Sequence, residues 1–203
     1  RPGRVPSEHV DTLFAVFNGG FKATHGQYGM MVGDVELLPP RDIACTFARY
    51  RDGSYRIATW SSMKAERAEL TYYRQTPPCL VEDGQIHQAL NEHAKGWGAT
   101  VSGDTVIRRS AMGLSEDRKT LFYGLGEAMT AEAIAVGMKA AGAHWVAVLD
   151  VNYSYPRMLF YERPDPERPP IAASAIIPAI DFTRYDYVGN ASPRDFFYLT
   201  RAP

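Results

Sequence analysis

"TVIRRSAMGLSEDRKTLFYGLGEAMTAEAIAVGMKAAGAHWVAVLD", residues 105–150, is the stretch on which the fold turns. Its first half reads as two strand-like segments, with the polar "SEDRK" at 115–119 turning the chain back between them. Arg109 then lies inside or beside a strand. A helix follows: Thr130 can accept from the free amides of the first turn, and Glu132 suits the positive end of the helix dipole. Ile134, Gly137, Met138 and Ala141 keep the spacing of a buried stripe, and Gly142 can end the helix in the left-handed conformation. The apolar run "HWVAVL" predicts a buried strand that delivers Asp150 to its end. Hairpin, helix, strand is not the regular alternation of a doubly wound nucleotide fold. The predicted class is α+β, with a mixed, mostly antiparallel sheet and a few packed helices in one domain over residues 1–203.

The flanking sequence agrees with that class. "TLFAVFNGGF" (12–21) reads as a buried strand ending in a glycine pair, whose freedom permits a sharp loop. In "IACTFARYRDGSYRIATW" (43–60), Asp52-Gly53 between two runs rich in aromatic and β-branched residues is a strong hairpin signal. "SSMKAERAELTYYRQ" (61–75) is read as a second helix with sparse apolar positions, "ERPDPERPP" (162–170) as a loop, and "FFYLTR" (196–201) as a last strand. "YGLGE" (123–127) lacks the rest of a nucleotide-binding fingerprint and is read as a turn.

Composition limits the partners. Lys plus Arg number 22 against 23 Asp plus Glu, so a net charge of −1 supplies no broad field for nucleic acid or an acidic membrane. No apolar run is long enough for a membrane helix, so no span is expected within this chain. The start, "RPGRVPSEHV", lacks a charged region followed by an apolar one; a signal segment, if the gene has one, is expected upstream or removed. Cys45 and Cys79 form either one disulfide or two buried thiols, and spacing alone does not choose. The five histidines show neither HExxH nor a nearby cysteine, so no metal is expected; no cofactor motif is present, and no GxSxG marks a serine nucleophile.

What remains is a set of polar groups at strand ends, where rigid scaffolds present functional groups: Asn18, Lys22, His25, Asp83, Arg109 and Asp150. Each has a plain alternative. Asn18 and Asp83 suit turns before glycine, Lys22 and His25 suit solvent, Arg109 suits a structural carboxylate, and Asp150 suits the cap of the next turn.

Taken in order, "NGGF" (18–21), "VEDG" (81–84), "RSAMG" (109–113), the helix from Thr130 and "LD" at 149–150 resemble the phosphodiester glycosidase family. The likeness runs from about residue 12 to at least residue 160. Where the family has three glycines and a serine after Leu-Asp, this chain has Val151, Asn152, Tyr153 and Ser154, similar to a divergent branch. The resemblance implies an extracytoplasmic enzyme, without cofactor, that hydrolyses a sugar-phosphodiester or related glycosidic bond. Asp150 would be the carboxylate near the anomeric carbon, and Arg109 a fork on two phosphate oxygens. Asn18 and the amides around Gly19 and Gly20 would hold the sugar or developing charge, with Asp83 a reserve acid or base. Lys22, His25, Asn152 and Ser154 would bind and orient the ligand. A second reading is a non-catalytic glycan-binding or envelope-associated module with Tyr28, Tyr153 and Tyr155 as platforms; a third is a purely structural domain.

Overall fold

A computed structural model describes residues 3–202. In chain order the elements are α1 (Ser7–Val10), β1 (Leu13–Asn18), β2 (Met30–Val32), β3 (Val35–Leu38), β4 (Cys45–Tyr50), β5 (Tyr55–Thr59), α2 (Trp60–Met63), β6 (Leu70–Thr76), β7 (Val81–Glu82) and β8 (Gln85–Ile86). They continue with β9 (Ile107–Leu114), β10 (Leu121–Met129), α3 (Ala131–Ala140), β11 (Trp145–Val151), β12 (Met158–Glu162), β13 (Ile171–Ala175) and β14 (Phe196–Thr200). Every pairing between these strands is antiparallel, so the expected α+β class leans toward β.

The chain forms two compact units. One takes the chain through Gly19 and again from Arg157, and holds the sheet β13-β12-β1-β14. Its buried spine is the apolar run of β1, buried at every position but Phe14, with Phe17 stacked on Phe197 at 5.2 Å between ring centroids. The other, Gly20–Pro156, holds two five-stranded sheets, β10-β9-β11-β7-β8 and β3-β2-β6-β4-β5.

Within the larger unit the sequence signals appear as hydrogen bonds. Asp52-Gly53 turns the β4–β5 hairpin, with Gly53 at φ +86°. Thr130 caps α3 by accepting from the Ala133 amide at 3.0 Å. The buried stripe of α3 is Ala131, Ile134, Ala135 and Met138, not the one that includes Gly137 and Ala141, which face solvent. Ala131 and Ala135 are small, so the helix sits close on its sheet, in a core with Ile107, Ala111, Val146 and Val148. "YGLGE" is strand, not turn, because it pairs with β9; Gly124 and Gly126 lie inside β10, where the Met138 and Met129 side chains occupy the space a Cβ would take.

Segment 61–75 is also corrected. Only its start is helical, as α2 and a 3-10 stretch at Lys64–Glu69, after which β6 is a central strand between β2 and β4. Two ladders satisfy its backbone and its Thr-Tyr-Tyr run suits a pleated surface, so tertiary pairing overrides the helical propensity before it. Cys45 and Cys79, both buried, form a disulfide that joins β4 to the segment entering β7. Among the described residues no helix is long and apolar enough to cross a membrane.

Candidate functional site

Three consecutive residues of β9 organise the site in the larger unit. The β9–β11 register slips between Val148 and Val151, which oppose Ala111 and Arg109, so β11 carries a bulge at Leu149-Asp150 facing Ser110. A bulge re-aims the side chains it carries. The Ser110 hydroxyl donates to the Asp150 main-chain carbonyl at 2.9 Å, and the Val151 amide donates to the Asp150 carboxylate at 2.9 Å. Asp150 is 6 % exposed and lies inside the strand rather than after it. On the other side β9 meets a second bulge, between Gly126 and Met129 of β10.

Arg108 and Arg109 divide the work between these bulges. Arg108 takes both carboxylate oxygens of Glu127, at 3.1 and 3.0 Å, and donates to the Tyr153 carbonyl at 2.9 Å. Its own carbonyl accepts from the Asn152 amide at 3.1 Å. Arg109 is wholly buried, and its guanidinium donates to the carbonyls of Trp97, Gly98, Thr105 and Met129 at 2.6 to 2.9 Å. Burial pulls its pKa down to about 10. This corrects the expected phosphate clamp, because a fork committed to four carbonyls beneath the surface has no pair of donors left for two phosphate oxygens. It is a fastener for the 97–105 loop.

Asp83 is corrected too. With φ +49° at Asp83 and +71° at Gly84, the pair makes the two-residue turn of the β7–β8 hairpin, and the carboxylate accepts from the Trp145 indole at 2.9 Å. Trp145 begins β11 and Asp150 is five residues on, so the backbone position that Asp83 engages lies roughly 16 Å along the strand from that of Asp150. Asp83 is therefore not a second acid beside Asp150.

The turn after Asp150 is closed by Asn152, whose side-chain oxygen accepts from the amides of Ser154 and Tyr155, each at 2.7 Å. That is an Asx turn. Val151 fills the space over Gly98: a Cβ there would come within 2.4 Å of the valine and 3.1 Å of Phe21. Thus the 151–155 turn and the loop from Gly20 meet in this unit, and Lys22 lies 5.6 Å from the centre of the Tyr155 ring. Lys22 and His25 are exposed, as are Tyr153 and Ser154. Gly20 is a close approach, since a Cβ would touch the Arg74 guanidinium at 3.0 Å.

In the smaller unit the Asn18 side chain accepts from the Arg157 amide at 3.1 Å and donates to the Gly19 carbonyl at 3.0 Å. Gly19 has no room for a side chain, because a Cβ would meet the Asp195 carboxylate at 2.2 Å. Sequence reading missed Arg74, Arg108, Ser110 and Glu127. A doubled arginine in a strand was the available signal for Arg108, and Ser110 lay within the "RSAMG" run without being singled out; Arg74 and Glu127 carried none.

No family model and no curated protein match the sequence. Among solved structures the chain is similar to the catalytic domain of zebrafish N-acetylglucosamine-1-phosphodiester alpha-N-acetylglucosaminidase, auto-inhibited by its pro-peptide. Identity is 15 %, the TM-score 0.53, and the match covers 73 % of this chain and 54 % of that one. The chain thus spans about half the length of that structure, and the likeness shows the fold. A hypothetical protein from Synechocystis matches at 11 % identity and TM-score 0.48, over 72 % of this chain and 47 % of that one.

Proposed function

We propose that the chain is a carbohydrate-acting hydrolase of the glycosidase class that cleaves a sugar-phosphodiester or related glycosidic bond, with Asp150 as the carboxylate beside the anomeric carbon. The observation that carries this reading is the bulge at Leu149-Asp150, where Ser110 holds the main chain and the Val151 amide holds one carboxylate oxygen. A carboxylate fixed in this way needs no reorganisation as positive charge develops on the sugar. Gly20, Lys22, His25, Asn152 and Ser154 form the proposed ligand-binding surround. A scaffold shared with a glycosidase catalytic domain supports the reading, and a disulfide suits its extracytoplasmic location. The single-domain expectation for residues 1–203 belongs to the same proposal.

A second reading, a non-catalytic glycan-binding module, is favoured by the low exposure of Asp150 beside a Tyr153 that is 56 % exposed. One assay separates the two. Purified protein and an Asp150→Asn variant of matching circular dichroism are given sugar-1-phosphodiesters and aryl glycosides. Hydrolysis that falls by roughly a hundredfold or more in the variant supports the enzyme. Turnover equal in both removes Asp150 from the chemistry. Glycan binding without turnover supports the module.

A further inference from the structure

At nine residues β10 is the longest of the described strands, and it ends its sheet, because the chain leaves it through α3 and returns on the far side of β9 as β11. Which of its backbone groups point outward follows from two bonds on β9. The Arg108 carbonyl accepts from the Asn152 amide at 3.1 Å, and the Leu114 carbonyl accepts from the His144 amide at 2.8 Å. Even-numbered residues of β9 therefore bond toward β11, and odd-numbered ones toward β10. The partners of those odd residues, Gly113, Ala111 and Arg109, are Phe122, Gly124 and Gly126. Leu121 and Leu125 consequently turn their N–H and C=O groups away from the sheet, and among the described residues neither has a backbone partner there.

An edge of this kind is normally protected by shortness, a charge or a proline. The other sheet edges of the larger unit follow that rule: β8 has two residues, β3 carries Glu36 and β5 carries Arg56. Residues 121–126, "LFYGLG", carry none of these; they are half-buried, and the bulge comes only after Gly126. The strand is instead complementary to itself. A two-fold axis that sets Leu121 opposite the partner's Leu125 joins outward-facing residues of both copies, and since each leucine supplies one N–H and one C=O, the leucines alone form four main-chain bonds. The same register puts Phe122 opposite Gly124, where no side chain competes with the ring. At both ends it brings the exposed Lys119 opposite the exposed Glu127.

We infer that β10 is a self-pairing edge through which two copies of this chain join, antiparallel and two-fold symmetric, into one continuous sheet. The Glu127 side chain is 47 % exposed, which leaves room for a second cation beside Arg108. Arg108 holds both Glu127 and the Tyr153 carbonyl, so the partner's Lys119 reaches the network behind the turn after Asp150. None of this depends on the carbohydrate reading.

Sedimentation of the full chain between about 1 and 500 µM is expected to show a monomer–dimer equilibrium. A Leu121→Cys/Leu125→Cys variant reads the register. Its two thiols lie roughly 13 Å apart along one strand, too far for a bridge within the chain, yet opposite each other between chains. Mild oxidation should therefore yield a disulfide-linked dimer, and Leu121→Cys alone should yield far less, since residue 121 does not face itself. Lys119→Glu places like charges at both ends and should weaken dimerisation about tenfold. Lys139→Glu, the same change at an exposed position of α3, should leave it unaltered. Leu125→Pro removes an outward N–H without touching the β9 ladder and should abolish the dimer at matching circular dichroism. A monomer at every concentration overturns the inference. So does a dimer that withstands Lys119→Glu and fails to cross-link in the double-cysteine variant, because it uses another surface. If Leu125→Pro does not fold, the charge and cross-linking variants decide.

Discussion

Ser110 and Asp150 are joined through the backbone: the serine hydroxyl donates to the aspartate's main-chain oxygen at 2.9 Å, across the bulge that separates Val148 from Val151 in the β9–β11 ladder. The carboxylate is thereby aimed by a neighbour that need not touch a ligand. Ser110→Ala removes one buried hydrogen bond and is expected to lower stability by about 1 kcal/mol. It should also reduce any hydrolysis beyond that loss, because the bulge is less firmly held. Urea unfolding gives the first quantity, and turnover at a temperature where both proteins are fully folded gives the second.

Arg109 meets four carbonyl oxygens from inside the fold. Lysine keeps the charge but offers three donors from one atom, without the planar fork, so carbonyls of the 97–105 loop lose partners. Arg109→Lys is therefore expected to destabilise by about 2 to 4 kcal/mol. Hydrogen exchange should rise first between residues 97 and 105. An unchanged melting temperature with unchanged exchange would show that the fastening is not needed.

The Cys45–Cys79 disulfide closes a sequence separation of 34 residues. Chain entropy alone makes such a link worth about 4 kcal/mol. A Cys45→Ala/Cys79→Ala double variant should lose stability of that order in chemical denaturation. Because both sulfurs are buried, the folded protein should be reduced slowly by dithiothreitol and quickly in denaturant.

Alkaline pH should unfold the protein through its buried tyrosines. The Tyr161 hydroxyl donates to the Asp186 carbonyl at 2.6 Å, and burial raises its pKa well above the ordinary 10.0; Tyr73 is raised likewise. Neutral tyrosine is thus favoured in the folded state, while the unfolded chain ionises near 10. The contribution is whole below that pH and is lost as pH rises above it. Arg109 opposes this in part, since its lowered pKa makes the folded state shed a proton first. The melting temperature should fall steeply above about pH 10, and Tyr161→Phe should flatten that fall. An identical slope in the variant would assign the transition elsewhere.

Much of the fold was legible because local chemistry repeats along the chain. Thr130 before the helix, Asp52-Gly53 between two strand-like runs, and "SEDRK" between β9 and β10 each act on backbone within a few residues. Segment 61–75 was not legible: it changes from helix to strand at Leu70, where the two ladders flanking β6 decide the outcome. The site shows the same division. Asp150 and the loop from Gly20 stood out by composition, while Arg109 reads identically whether it faces a ligand or carbonyls, and Asp83 whether it faces a ligand or an indole N–H.

The sequence by itself determined an α+β chain rich in antiparallel hairpins, the capped helix and the polar residues available for chemistry, since these depend on periodicity, turn geometry and charge. Only the tertiary structure decided which arginine is spent on carbonyls, which aspartate turns a hairpin roughly a strand's length from Asp150, and which loop is pinned by Arg74 at Phe21 and by Gln75 at Gly29. These outcomes depend on which donors and acceptors are buried together by distant segments. A side chain's sequence neighbours carry no record of that.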